Sequence, residues 1–482
     1  MYYKLRSCII FRDYGDFGYI TDNRNFGYKL INEIGKDIGD KIISASGTQF
    51  LIALGRIPQS TDMIAKKLCQ CFADVDLETI QRDATEFYMQ LVKDGFLVSG
   101  TTAEECEQKD RLFSYKDTMI MADKTSSVSE PEFTSQDFFE KHFKGAPQLT
   151  NLHIEITSRC NERCVHCYIP HENKVNTMPA DLFYRILEQC REMNVLHLTI
   201  SGGEPMMHPE FPDFLKQCNE LNFSVNILSN LTLLNEDVVR QMKQNQLLCV
   251  QTSLYATDAN VHDAITQVKG SFEKTRGAIL TLLDNDIPLQ ISCPIMKQNI
   301  DCYQEVLQWG KLHNVNVNSD YVLIGQYNQS TNNLANRLSI NDIENVIRQT
   351  ASGDSKYWER IVSEANKKTN LGPDDYICSV CNSSICISEN GQVYPCAGWQ
   401  GYNLGDLNTT SLREIWTQSY KVQYLRNLRR KDFPKCLDCK DKDFCTMCMV
   451  RNANEDPEGN LLTVNEFFCS IAALHHKMSS CQ

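Results

Sequence analysis

The chain lacks three features that would each have narrowed its function. It contains no stretch of about 18 uncharged apolar residues, so no segment is expected to span a membrane. The opening MYYKLRSCIIFRDYGD breaks every apolar run with a charge and holds no secretory hydrophobic region, which predicts a cytoplasmic protein. Positive charge is in deficit: 48 Lys and Arg stand against 61 Asp and Glu, a net charge of -13. Proteins that track phosphates carry basic stripes, so nucleic acid is not an expected partner.

Cysteine is present in excess, at 22 of 482 residues. A chain of this length can bury more than one core and needs no disulfide staples. Reduced thiols therefore point to metal, and they cluster in two tight groups separated by a span where they are scattered.

The pattern along the chain divides it into five stretches. Residues 1–100 read as a small domain in which strands at Tyr2–Phe11 and Phe17–Thr21 flank a turn. Ser46-Gly47-Thr48 then precedes an apolar helix at Gln49–Leu54, and Ser60 or Thr61 can cap a second helix. Leu77–Leu91 has Ile80, Ala84, Tyr88 and Leu91 on one face, and Asp94-Gly95 turns into Phe96-Leu97-Val98. Strands, three helices and a returning strand describe a winged helix-turn-helix. Residues 101–149 read as a linker, because 101–136 lose periodicity. Residues 150–330 alternate strands with helices, the strands being Leu152–Thr157, Leu196–Ile200, Ser224–Leu228, Leu248–Leu254, Pro288–Ser292 and Asn316–Leu323. Six such repeats predict an α/β partial (β/α)6 barrel with its chemistry at the C-terminal strand ends. Residues 331–377 read as a helical bridge, and 378–482 as a Cys-rich domain organised by metal.

The first strand runs into Cys160-Asn-Glu-Arg-Cys164-Val-His-Cys167-Tyr168. Three thiolates can hold three irons of a cubane that normally takes four, leaving one iron open to a small molecule. The competing reading is zinc, which needs a fourth ligand such as His166. The Cys-x3-Cys-x2-Cys-aromatic pattern resembles the radical S-adenosylmethionine (SAM) superfamily. So does Ser201-Gly202-Gly203-Glu204-Pro205 at the end of the next strand. The resemblance implies that Cys160, Cys164 and Cys167 hold a catalytic 4Fe–4S cluster and that SAM binds its open iron. It assigns SAM contacts to Tyr168, Gly202, Gly203, Glu204, Pro205, Ser229, Asn230 and Ser253. Glycine would let backbone approach the methionine amino group closely. Reductive cleavage of SAM would then give a 5′-deoxyadenosyl radical that abstracts hydrogen from a substrate.

Further on come Cys378-x2-Cys381-x9-Gly391-x4-Cys396, Cys436-x2-Cys439-x5-Cys445-x2-Cys448 and Cys469. These resemble the SPASM extension of radical SAM peptide modifiers, which implies two auxiliary 4Fe–4S clusters and so three clusters in all. By resemblance the first takes Cys378, Cys381, Cys396 and Cys448, and the second Cys436, Cys439, Cys445 and Cys469. Two spacings are shorter than the family's, which leaves room for an open iron or for Cys386 as a substitute ligand. A pair of zinc ribbons is the alternative.

Residues 1–100 carry no Lys/Arg row on the third helix and resemble instead the peptide chaperone of the pyrroloquinoline quinone pathway. Such domains hold the leader of a ribosomally made precursor as an added strand. The expectation is a radical SAM peptide maturase that forms Cys sulfur-to-carbon thioether cross-links. Carbon–carbon or carbon–oxygen cross-linking, or epimerisation, stands next. Its partners would be a precursor peptide and a flavodoxin or ferredoxin-type electron donor. Sulfatase maturation fits less well, because those enzymes place an Asp base where this chain has Ala397. A non-catalytic electron-transfer or peptide-binding scaffold is the remaining alternative.

Overall fold

The computed structural model describes residues 1–22, 39–110, 142–143, 146–245 and 247–480. Most of the stretch read as a linker, and Cys481, lie outside them.

The N-terminal part contains β1 (Tyr2–Leu5), β2 (Ile9–Asp13), β3 (Phe17–Asp22), β4 (Asp40–Ser44), β5 (Gln59–Ser60) and β6 (Leu97–Gly100). They form two antiparallel sheets, β5-β1-β6 and β2-β3-β4. The expected single strand Tyr2–Phe11 is divided between the two sheets. Its break falls at Ser7, whose N–H and hydroxyl both donate to the Asp110 carboxylate (3.1 and 2.6 Å). Asp110 ends a helix, Ala103–Lys109, in what reads as the start of the linker. That helix is tied to β1 by Lys4, which pairs with Glu107 and Asp110 at 2.6 Å each. The apolar helix also begins earlier than expected, at Ala45, because Ser44 accepts a hydrogen bond from the Gly47 N–H and caps it. Ser60 and Asp76 cap the next two helices, Thr61–Leu68 and Leu77–Lys93. Ile80, Ala84, Tyr88 and Leu91 are buried, as the helical period requires.

The central part is a parallel sheet of β7 (Asn151–Thr157), β8 (His197–Gly202), β9 (Ser224–Leu228), β10 (Leu248–Ser253), β11 (Leu289–Pro294) and β12 (Asn316–Asp320). Neighbours in sequence are neighbours in the sheet. Each strand but the last is nearly continuous in burial, as expected when helices cover one face and side chains fill the other. The sheet does not stop at β7. β13 (Ser384–Ile387) lies parallel to it, Ser384 opposite Asn151, and β14 (Gln392–Tyr394) and β15 (Gly405–Asp406) follow antiparallel. The Cys-rich region is thus joined to the barrel's first edge by backbone hydrogen bonds, which covers an edge that would otherwise offer unpaired groups. Helices Ile340–Gly353 and Tyr357–Thr369 bridge the two and pack on the C-terminal helix Glu466–Ser479.

The N-terminal part is docked on the barrel by a buried cation. Arg12 is fully buried and donates to the carbonyls of Val195 (3.0 and 2.7 Å) and Asn222 (3.0 Å), just beyond two helix ends. The Asn222 amide accepts from the Phe11 N–H and donates to the Ile9 carbonyl, each at 2.9 Å, continuing the edge of β2. Carbonyls at helix C-termini carry the partial negative charge that a guanidinium requires here.

Candidate active site

The loop between Thr157 and Tyr168 has no helix or strand of its own and is held by its surroundings. Gly203 N–H donates to the Thr157 carbonyl (2.7 Å) and Glu204 N–H to that of Arg159 (2.8 Å). A Cβ on Gly202 would stand 2.0 Å from the Thr157 oxygen, and one on Gly203 2.3 Å from the Arg159 oxygen. Gly202 also has φ +144°, which side chains rarely adopt. The glycine pair therefore serves an approach by the thiol-bearing loop itself. Ser158 Oγ accepts from the N–H groups of Val175 and Asn176, while the Asn333 and Asn336 amides donate to the carbonyls of His166 and Val165.

Glu204 is fully buried, and its carboxylate accepts from Ser229 Oγ (2.8 Å), Asn230 N (2.7 Å) and Met206 N (3.0 Å). Those bonds tie β8 to the end of β9. Burial outweighs them and pushes the carboxyl up to about 7. Pro205 opens the short turn that follows. Both residues stand behind the cavity wall. The other expected site residues line one cavity of about 320 Å³: the three cysteines, Tyr168, Gly202, Gly203, Ser229, Asn230 and Ser253. Tyr255 Oη lies 4.0 Å from Cys164 Sγ.

Four further polar neighbours stand on that wall, of which sequence reasoning missed Glu162 and His262. Glu162 Oε1, His166 Nδ1, Thr252 Oγ1 and His262 Nε2 are buried without a hydrogen-bond partner. Burial holds His166 and His262 down at about 4 and lifts Glu162 to about 7. Unsatisfied buried groups round a cavity cost free energy unless a polar ligand meets them. Burial also pushes the Cys160 thiol up to about 11 and Cys164 well above its usual range. A thiolate there requires a positive partner, which iron supplies. Among the described residues no group of three or more His, Cys, Asp or Glu closes round a single metal ion. The residues fit a multi-iron cluster with a polar small molecule beside it.

Glu155 was also missed, although a charge in the apolar run Leu152–Thr157 was the signal. It is buried and accepts from Tyr168 Oη (3.1 Å), and its other oxygen accepts from the Gln400 amide. Burial first, then the nearby Glu389, pushes it up to about 8. It therefore links the loop's terminal aromatic to the Cys-rich region.

Around the expected auxiliary sites the structure gathers two groups of thiols. Burial first, then Cys445, Glu466, Cys436 and Cys439, push Cys469 up to about 11. Burial, with Cys448 and Cys378 behind it, does the same to Cys396. Cys381 is buried at φ +59°, and Cys378 is the thiol that acts on it. Cys386 is buried on β13, where burial first, then Glu155 and Cys396, push its thiol well above its usual range.

Residues 154–310 match the radical SAM superfamily and residues 378–440 the SPASM iron–sulfur cluster-binding domain. The chain thus carries a radical SAM domain and, joined to the barrel edge, a SPASM iron–sulfur cluster-binding domain. The AdoMet-dependent heme synthase of Methanosarcina barkeri is 23% identical over 64% of this chain and 92% of its own length. The subtilosin biosynthesis protein AlbA of Bacillus subtilis is 25% identical over 64% of this chain and 69% of its own. Among solved structures, Streptococcus suis SuiB bound to its precursor peptide SuiA shares the fold over 96% of this chain and 100% of its own, with a TM-score of 0.58 at 16% identity. The protein anSMEcpe, with bound AdoMet and a peptide, covers 70% of this chain with a TM-score of 0.54 at 17% identity. No described helix is long and apolar enough to cross a membrane.

Proposed function

We propose that the chain matures a ribosomally made precursor peptide. The observation that carries this reading is the continuous arrangement of front domain, barrel and Cys-rich domain. It runs end to end with SuiB, a protein crystallised with its precursor peptide, whereas anSMEcpe covers only 70% of this chain. The relative AlbA is itself named for bacteriocin biosynthesis. Residues 1–100 are the leader-recognition domain, of winged-helix type. Their β2 edge is occupied by Asn222, so the leader adds at the β4 side of that sheet.

Cys160, Cys164 and Cys167 hold the cluster, and the cavity residues Tyr168, Gly202, Gly203, Ser229, Asn230 and Ser253 receive SAM. With both bound, one-electron cleavage of SAM supplies the oxidising power to remove a substrate hydrogen. The chain's own part is positional. The Gly202-Gly203 backbone sets the height of the thiol loop over β8, and Glu204 locks the end of β9 beneath the cofactor. Glu155 fixes Tyr168. The auxiliary groups, centred on Cys396 and on Cys469, take two further clusters. Glu155, whose charge acts on Cys396, also holds Tyr168 of the SAM cavity. A cluster held by the Cys396 group with one cysteine fewer than four would supply an iron able to take a substrate thiolate. This favours a Cys sulfur-to-carbon thioether over a carbon–carbon or carbon–oxygen bond. Formylglycine formation is disfavoured by Ala397. A flavodoxin or ferredoxin-type carrier supplies the electrons.

The test is anaerobic reconstitution with iron and sulfide, then SAM, reductant and the precursor peptide. Release of 5′-deoxyadenosine is expected, with loss of two hydrogens per bond in the peptide and weaker binding of a leaderless precursor. A Cys160/Cys164/Cys167 triple Ala variant that still modifies peptide would overturn the reading, as would a parent enzyme that leaves SAM intact.

A further inference from the structure

The charge of this acidic chain is unevenly distributed, and one basic stretch is the segment that carries Cys436 and Cys439. Between residues 421 and 443 there are eight Lys and Arg against four Asp, in a protein of net charge -13. The segment contains Cys436 and Cys439, which are half-exposed; in the other auxiliary group Cys378 is exposed, Cys396 and Cys448 are half-exposed and Cys381 is buried. The carboxylates of the segment are partly spent internally. Asp441 is buried against His476 Nδ1 (2.7 Å), and Asp432 caps the turn at Arg429. Of the cations, Arg430 is buried beside Cys436, and Lys431 pairs with Asp374 at 2.7 Å. Lys435 and Lys440 are exposed and have no carboxylate partner among the described residues.

Other elements add to this collar. Lys368, on the helix packed against the Lys442–Phe444 turn, reaches the Cys445 carbonyl (3.4 Å) and Thr446 Oγ1 (3.3 Å). Lys477 is exposed on the helix packed against the same turn. A positive field concentrated where thiols come near the surface attracts negative macromolecules and orients their approach. The flanking half-exposed cysteines make a short electron path the feature such a partner would use.

We propose that this collar, centred on Lys435 and Lys440, is the docking surface of an acidic one-electron carrier protein. One electron leaves the carrier at each encounter, and no atom is transferred. The inference rests on the auxiliary-cluster part of the proposed function and adds the place where electrons enter.

The probe is a flavodoxin of strongly negative net charge, titrated calorimetrically into the reconstituted full-length protein at several salt concentrations. Affinity is expected to fall about tenfold between roughly 0.02 and 0.2 M salt, as screening shortens the reach of the field. The K435E/K440E variant should bind about tenfold or more weakly at low salt and lose most of that salt dependence. It should keep its iron content and its SAM cleavage driven by dithionite. K431E/K477E, farther from the ligands, should weaken binding in the same sense, and K216E/K311E on the barrel should not. Unchanged affinity in both collar variants, or equal weakening by the barrel pair, would overturn the proposal. No peptide enters this measurement, so the docking surface stands or falls separately from the peptide reading.

Discussion

The barrel and the Cys-rich region place their thiols by opposite means. The loop of Cys160, Cys164 and Cys167 hangs from buried parallel strands and is stitched down by Gly203, Ser158, Asn333 and Asn336. Apolar side chains already fix that scaffold. Around Cys436–Cys469 the elements are short, with turns of three or four residues and helices Met449–Glu455 and Glu466–Ser479. Such a region gains much of its order from what the thiols bind. The first thiol site is thus set by a scaffold that needs no metal, and the second is the one that metal would help to order.

Removing the iron should separate the two most sharply. After anaerobic chelation, limited proteolysis is expected to cut between 430 and 465 while a fragment containing 150–330 persists. Equal protection of both regions would erase the contrast. A smaller effect is expected from Gly203→Ala, whose Cβ has no room beside the Arg159 and Ser158 carbonyls. The loop must shift, at a cost of roughly 1–3 kcal/mol, and SAM should bind measurably more weakly while the auxiliary iron content is kept. Calorimetric SAM affinity equal to the parent's would show that the loop is less constrained than its packing implies.

The smallest effect concerns Glu155, where the two regions meet. Its carboxyl titrates at about 8 in the fold against the ordinary 4.5. A raised folded value means that the native state keeps a proton which the unfolded chain releases. The associated stability is complete below 4.5 and is lost as pH rises to about 8, at up to about 1.4 kcal/mol per pH unit. Glu155→Gln should therefore flatten the fall in melting temperature between pH 5 and 8. Parallel curves for parent and variant would place the proton elsewhere.

Much of the candidate site was legible because its signals are local. Cys160-x3-Cys164-x2-Cys167 is a spacing within one loop, and Ser201 to Pro205 closes one strand. The alternation of strands and helices from 150 to 330 follows from side-chain period. Local pattern does not show which backbone lies against a glycine, so the close approach of Thr157 and Arg159 to the pair at 202 and 203, which also lines the cavity, leaves no signal in the sequence. It also misses isolated polar residues whose meaning is a distant partner, such as Glu155 with Gln400, or Arg12 with Val195 and Asn222.

The amino-acid sequence by itself determined the chemistry on offer: thiols in ligand spacing, a glycine pair after a strand, a barrel period and no apolar run for a membrane. Only the tertiary structure decided that β13 extends the barrel sheet and that a buried guanidinium docks the front domain. It alone placed the carboxylate that links the two thiol regions. Those choices depend on burial and on hydrogen bonds between residues far apart in the chain. Neither leaves a period or a spacing to read.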